Sequence, residues 1–424
     1  MGEEVLNRPP KNQQIAKTRQ ETIMRHEMMV CKTYELKVDR SHLSANTLSL
    51  LKLLFLEAKW FYNHLIASGD VWHADYKTTT VQAMDRQRHS EPRRLKVLSS
   101  QMRQELVDRA KDNIIGLAAL KKRGRRVGAL KFKRRITSIP LKQCGITYEI
   151  KGNRVRVQKI GCLKVSGLHQ VSDDAELANA TLEQRNGDYY LHVTTYQAQS
   201  ETLSPKLAVG IDGGVKNQIT LSNRLTIKEQ VPITRRAVRL HRQLSRRKEH
   251  GRNWRKTQRR LDKEYERIAR MRSEIRHKIV ALITSTYRNV AIQDDNVQGW
   301  LRLWGRRVAS STVGGIMRDL RSRSQTPILV DRYEATTQTC FNCQSTNPIG
   351  LVDRVYGCRA CGLVVDRDLN AAVNMWLHVP TGHREPTPAD TKTATKMMTY
   401  LNRIPYVSAS LAEEAGSHPT FSRW

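Results

Sequence analysis

Two Cys-x-x-Cys pairs, Cys340 with Cys343 and Cys358 with Cys361, stand fourteen residues apart late in the chain. Four thiols at that spacing can surround one tetrahedral ion, the pattern of a structural zinc ribbon, closed and non-catalytic. A redox pair is the other reading, but it uses one such pair beside a βαβ unit and leaves the second unexplained. Carboxylates stand elsewhere. Asp212 follows the alternating Leu207, Val209 and Ile211 and precedes Gly213-Gly214. A buried strand there delivers a carboxylate to a sheet edge, beside a turn with room for a phosphate or a metal; Asp before Gly is also ordinary turn chemistry. Asp368 lies in DRDLNAAVN, where small residues permit close helix packing and the carboxylate falls near a helix N-terminus, a place the helix dipole alone would favour. In NVAIQDDNV the apolar run Val290, Ala291, Ile292 ends in Gln293, ahead of Asp294 and Asp295. If this is an active-site strand end, its first polar residue is the one that cannot ionise.

The chain around these residues is strongly cationic. Its 424 residues carry 73 Lys and Arg against 40 Asp and Glu, a formal charge of +33. That excess is far beyond what solubility requires and points to a polyanion, nucleic acid first. No apolar run approaches a membrane span, and the first residues lack the apolar core of a secretion signal, so the expectation is a soluble intracellular protein with no membrane partner. Cys31, Cys144 and Cys162 stand alone on strand-like segments and read as small core hydrophobes.

The positioning elements follow from periodicity. Residues 1–29 are polar without an apolar face and read as a flexible extension. Period-two alternation over Cys31–Asp39 gives a first strand, and spacing of three and four from Leu48 to Tyr62 gives a helix to about Ala67, with Ser44 or Asn46 as cap. A second helix runs from about Leu98 to Leu120, so residues 44–120 form a helical insertion. In Lys121–Arg135 the alternation of Leu130 and Phe132 among cations suggests a strand presenting Lys131, Lys133, Arg134 and Arg135 to phosphates; a solvated linker is the plainer reading. Short strands up to residue 203, with Asn186-Gly187 as a hairpin turn, complete a small β-barrel with the first strand. After Ser204-Pro205 the texture becomes α/β. Between Arg235 and Lys278 eighteen Lys and Arg face five Asp and Glu, a cationic helical segment broken near Gly251 that carries Arg246, Arg247, Lys248, Arg255 and Lys256. Residues 378–424 are rich in Pro, Thr, Ser and His and read as a disordered tail.

The succession AVGIDGGVKNQITLSN, LSRRKEHGRNWRK, VAIQDDNV, TTQTCFNCQS, CRACG and DRDLNAAVN resembles the TnpB transposon-encoded nucleases and the compact type V CRISPR effectors, over about Lys32 to Leu377. The resemblance implies a multidomain α/β plus β-barrel protein. It would have a split RNase H-like (RuvC) nuclease domain at 204–335 and 364–377, with a zinc ribbon inserted at 336–363. A wedge-like barrel at 30–43 and 121–203 would carry the helical recognition insertion. It implies RNA-guided cutting of double-stranded DNA by a monomer, or by a homodimer on one guide RNA, in the nucleoid-associated cytoplasm of a prokaryote. In the implied two-metal mechanism, three acidic residues hold two Mg²⁺ ions. Asp212 matches the first and Asp368 the third, while the second, a Glu in the family, falls on Gln293. Gln keeps one carbonyl oxygen that can touch a metal but loses the charge Mg²⁺ favours. Asp295 would replace it only across a displacement of roughly 6.6–6.8 Å along a continuing strand. Two functions stand: an endonuclease impaired at Gln293, favoured by retention of Asp212, Asp368 and the four cysteines, and a non-cutting RNA-guided DNA binder. A basic RNA-binding protein without DNA targeting is the third.

Overall fold

The computed structural model describes residues 11–84, 89–198, 207–295, 299–300, 305, 312–350, 353–380 and 391–412. The chain divides into two compact units, Met1–Glu201 and Thr202–Trp424; the Ser204-Pro205 boundary lies outside the described residues.

In the first unit, helix α1 (Lys11–Glu27) replaces most of the expected flexible extension, whose first ten residues lie outside the description. Its end is anchored: Arg25 and His26 reach Glu176 Oε1 at 2.8 and 3.0 Å, and His26 stacks on Tyr196 at 3.6 Å between centroids. Strand β1 (Met29–Val38) leads to α2 (Ala45–Ala67), capped by Ser44 Oγ, which accepts from Thr47 N at 3.0 Å. The hairpin β2 (Thr80–Met84) and β3 (Ser90–Arg94), not anticipated from the sequence, separates α2 from α3 (Ser100–Lys122). Glu57 of α2 is fully buried and accepts from the amides of Lys96, Val97 and Leu98, each at 2.8 Å, which fixes the chain at its entry to α3.

Strands β4 (Ser138–Leu141), β5 (Tyr148–Lys151), β6 (Arg154–Val157), β7 (Gly161–Ser166), β8 (Glu176–Arg185) and β9 (Asp188–Ala198) follow. With β1 they form an antiparallel sheet of order β4-β8-β9-β1-β7-β6-β5. Tyr148 Oη on β5 donates to Ala178 O on β8 at 3.0 Å, so the terminal strand curls back and nearly closes a barrel. The turn between β8 and β9 is the expected one, with Asn186 and Gly187 at φ 52° and 85°. Leu51, Leu54 and Phe61 of α2 and Met102 and Leu106 of α3 share one core with Leu36, Ile139, Leu163 and Val193 of the barrel, so the helical insertion is continuous with it. The expected strand over Lys121–Arg135 is absent: α3 ends at Lys122, and residues 125–137 hold no strand. Crowded like charges and Gly124 at φ 73° oppose regular pairing there. Phe132 is exposed, and Cys31 and Cys162 are exposed on their strands rather than in the core.

The second unit is built on β10 (Ala208–Gly213), β11 (Ile219–Leu221) and β12 (Leu225–Glu229). Helices α4 (Arg235–Ser245) and α5 (Arg252–Thr286) follow, broken at Gly251 as expected. Next come β13 (Asn289–Gln293), α6 (Val313–Arg323), β14 (Thr326–Val330), β15 (Val355–Gly357), β16 (Val364–Asp366) and α7 (Arg367–Leu377). The sheet runs β14-β13-β10-β11-β12-β17, where β17 is Val407–Leu411; β10, β13 and β14 are parallel and β11, β12 and β17 antiparallel. The side chains of Val209, Ile211, Val290 and Ile292 pack with those of α5 and α6. Ala208 and Ala291 lie on the opposite face, against Met375 and Trp376 of α7. A Cβ on Gly210 would lie 2.0 Å from Ala372 O, so strand and helix meet backbone to backbone, the close packing expected of the small residues in α7. The expected disordered tail is corrected in part: Thr391–Leu401 form α8 and Val407–Leu411 the edge strand β17. Ala394, Met397 and Leu401 at helical spacing are buried, a stripe that the Thr-rich composition masked. Residues 381–390 and 413–424 lie outside the description.

Candidate functional site

Alternation along β10 puts Asp212 on the face of Ala208 and Gly210, the face covered by α7. The parallel register Ile211↔Ile292 sets Gln293 of β13 beside it on that face. Asp368 is the second residue of α7, is 7% exposed, and is held by Arg367 at 3.1 Å and Arg354 at 3.9 Å. The cap of that helix is Asp366, whose Oδ1 accepts from the amides of Asp368 and Leu369 at 2.9 and 3.0 Å. The main chain of Asp212 pairs with β11, while its carboxylate makes no hydrogen bond or ion pair among the described residues. Burial, then the charges of Asp368, Asp295 and Asp366, push its pKa up to about 8 against the pull of Arg367. Such crowding of carboxylates is relieved by a bound cation. Hard oxygen donors of this kind fit Mg²⁺. Among the described residues they are not gathered as tightly as the cysteines, since no three of these carboxylates approach within 4.8 Å of one another.

Gln293 is engaged elsewhere. Its Nε2 donates to the carbonyls of Asp331, Arg332 and Glu334 at 3.1, 3.4 and 3.0 Å, and its Oε1 accepts from Thr336 Oγ1 at 3.3 Å. One of the two acceptor sites of the carbonyl oxygen that could touch a metal is thus engaged by Thr336. The amides of Asn370 and Asn374 continue the pattern: each donates to Thr336 O and Thr339 O. Three side-chain amides therefore gather the carbonyls of the segment that leads into the cysteines. Strand β13 ends at Gln293, so Asp295 is not carried on along a continuing strand. Asp294 is taken by Arg321 and Arg332 at 2.6 and 3.0 Å, while Asp295 is partly buried and its charge reaches Asp212.

Cys340, Cys343, Cys358 and Cys361 each place Sγ within 4.8 Å of the others. Cys340 and Cys361 are 3.7 Å apart and Cys343 and Cys358 3.5 Å. An ion bound at about 2.3 Å from each sulfur would set the edges of the tetrahedron near 3.8 Å, so the residues fit zinc. Burial pushes Cys340 up to about 12. Burial also opposes the Cys358 thiolate, but the Ser345 hydroxyl and the amides of Cys361 and Ala360 outweigh it and bring Cys358 to about 5. The second gathering of ligating side chains, Glu35, Glu183 and His192, is closed by Arg185, at 2.8 Å from Glu35 and 3.7 Å from Glu183.

The expected nucleic-acid contacts are all exposed: Lys131, Lys133, Arg134 and Arg135 before β4, Arg246, Arg247 and Lys248 between α4 and α5, and Arg255 and Lys256 on the first turn of α5. Arg247 is partly committed, since its Nη1 donates to Asn253 O at 2.7 Å. Sequence reasoning missed Asp366, Asn370 and Asn374. A carboxylate two residues before Asp368 is an N-cap signal that was available.

The Cas12f1-like TNB domain model matches residues 320–375, and the OrfB_IS605 model, described as "Probable transposase", matches residues 191–303. InsQ of Escherichia coli K12, named as a candidate RNA-guided DNA endonuclease, is 27% identical over 185 residues, covering 42% of this chain and 44% of InsQ. Proteins named in the same way are 25% identical in Streptomyces pristinaespiralis, covering 48% and 53%, and 24% identical in Mycobacterium tuberculosis CDC 1551, covering 62% and 61%. The chain spans about half the length of the curated relatives it matches. A cryo-EM structure of a Cas12f1–sgRNA–target DNA complex aligns over 82% of this chain and 98% of that one, at a TM-score of 0.26 and 13% identity. From residue 191 to 375 the chain therefore carries in turn an OrfB_IS605 segment and a Cas12f1-like TNB segment, and it resembles the TnpB-like transposon-encoded nucleases and compact type V effectors.

Proposed function

We propose that this chain is an RNA-guided, Mg²⁺-dependent DNA endonuclease whose chemistry is held down by Gln293. What supports the reading is that Asp212 of β10 and position 293 of β13 share one face of the sheet, and that the charge of Asp368 of α7 reaches Asp212. The strand order, three antiparallel strands continued by two parallel ones on the side of β10, supports an RNase H-like (RuvC) domain over 204–335 and 364–377, with the zinc ribbon at 336–363. The barrel at 30–43 and 121–203 is read as the wedge and residues 44–120 as the recognition insertion. Asp212 and Asp368 would hold Mg²⁺, and the four cysteines one structural Zn²⁺. Bound Mg²⁺ supplies an activated water and charge stabilisation at the leaving oxygen. Guide RNA and double-stranded target DNA are the partners of a monomer, or of a homodimer on one RNA, in the nucleoid-associated cytoplasm. No helix among the described residues is long and apolar enough to cross a membrane.

The amide of Gln293 favours a second reading, a non-cutting RNA-guided DNA binder acting as a repressor or roadblock. A carboxylate cannot donate to the three carbonyls that this amide serves. Guided cleavage assays of the chain and of Gln293→Glu separate the readings: the first expects a Mg²⁺-dependent gain, the second none.

In both readings sequence is read by pairing and the protein holds backbone. Reversing Arg246, Lys248, Arg255 and Lys256 to Glu is expected to weaken RNA binding and to flatten the plot of log affinity against log salt by about 3. Unaltered slopes in filter binding from about 50 to about 200 mM salt would remove these cations from the interface.

A further inference from the structure

Within the first unit, α2, α3 and the segment before β4 enclose a cavity of about 200 Å³ lined by Tyr62, Arg109, Asn113, Lys133, Arg135 and Ser138, among others. Three of these six are cations, and none of the three makes an ion pair among the described residues. Arg109 is partly buried and is fixed by its Nη1, which donates to Ser138 Oγ at 3.0 Å. The Lys133 ammonium lies 4.4 Å from the centroid of the Tyr62 ring. Its main chain is pinned by Asn63, which accepts from Lys133 N at 2.9 Å and donates to Lys133 O at 3.1 Å. Glu105, whose charge acts on Arg109, is already taken by Lys142 at 2.6 Å. Burial and then the charge of Arg109 lower the Lys133 pKa, so two cations are held against each other in a concavity that no carboxylate lines among the described residues.

We infer that this cavity is a phosphate site, which takes one phosphate group of the bound RNA between Arg109, Lys133 and Arg135. Fixed cations that repel one another become favourable once a phosphate accepts charge-assisted hydrogen bonds from them. The cavity is larger than a single phosphate needs, and the neutral donors and acceptors of Ser138 and Asn113 suit the 2′-hydroxyl of an adjoining ribose. The choice of RNA rests on the function proposed above. The choice of phosphate does not.

The test therefore has two arms on the full-length chain. In the first, inorganic phosphate is titrated against thermal unfolding in the absence of nucleic acid. Phosphate is expected to raise the midpoint of the unmodified chain at a fixed, high chloride concentration and to leave that of Lys133→Gln nearly unmoved. Lys133 is exposed, so that variant should fold; Arg109→Lys, which keeps the charge but not the fork, serves as the second variant. In the other arm, a single-stranded RNA oligonucleotide and its DNA counterpart are compared by filter binding. Lys133→Gln is expected to lower RNA affinity about tenfold, the size of one charge-assisted contact, and to reduce the salt slope by about 0.7. Equal phosphate effects on the unmodified chain and both variants would overturn the site itself. A phosphate effect confined to the unmodified chain, with equal losses for RNA and DNA, would keep the phosphate site and overturn the RNA assignment.

Discussion

Gln293→Glu is expected to raise Mg²⁺-dependent, guide-dependent cleavage by on the order of 100-fold, the size of effect that one well-placed charge-stabilising group supplies. The same substitution is expected to loosen residues 331–336 in the metal-free protein. Both effects come from one atom. Nε2 now donates to three backbone carbonyls, and a carboxylate oxygen in its place would face those carbonyls with nothing to give. Losing the clasp should cost about 1–3 kcal/mol without metal. Repulsion from the carbonyls favours rotation toward Asp212 and Asp368, on the same face of the sheet, where a cation would receive the carboxylate. Adding Asp212→Ala or Asp368→Ala should each remove most of the gain, because groups that act as a unit are not additive. Hydrogen exchange of 331–336 reads the clasp, and single-turnover cleavage reads the chemistry. Unchanged cutting in Gln293→Glu, with Asp295→Asn silencing the starting chain, would put the third carboxylate at Asp295, whose charge already reaches Asp212.

Cys358→Ser is expected to release one zinc per chain and to destabilise the second unit by several kcal/mol, since binding of a structural zinc contributes about 10–16 kcal/mol to folding. The loss should not stay in the ribbon. Cys340 and Cys358 share a core with Tyr356 and Leu363, with Val365 of β16 and with Leu369 and Val373 of α7, the helix that carries Asp368. Hydrogen exchange should therefore rise in α7 as well as in 340–363, and folding should suffer before chemistry does. Elemental analysis that finds no zinc in the freshly purified chain, or thermal unfolding of Cys358→Ser that matches the unmodified chain, would remove the zinc reading.

Where local pattern and tertiary packing agree, the sequence was legible. The alternation ending at Asp212, the small residues of α7 and the Asn186-Gly187 turn each point to one structure, and each is found. The paired cysteines likewise converge as their spacing requires. The misses have physical reasons. In Lys121–Arg135 the period-two alternation is real, but a strand needs a partner edge, and the segment instead hangs on Asn63. In the C-terminal tail, composition outweighed pattern: the helical stripe of Ala394, Met397 and Leu401 was hidden among threonines, and Val407 and Ala409 are buried on a strand that adds to β12. Gln293 was the hardest case. Its place beside Asp212 follows from register, but its hydrogen bonds depend on carbonyls about 40 residues later, in a segment whose path no local pattern determines.

Guided cleavage with the chain's own RNA tests the central claim most directly. RNA retained by the purified protein would be sequenced and duplexes prepared that match or mismatch its variable end. Cutting by the Gln293→Glu form would then be followed with and without Mg²⁺. The expected result is cleavage of the matched duplex alone, dependent on Mg²⁺ and lost with Asp212→Ala. Matched and mismatched duplexes cut alike, or cutting that survives Asp212→Ala, would contradict it.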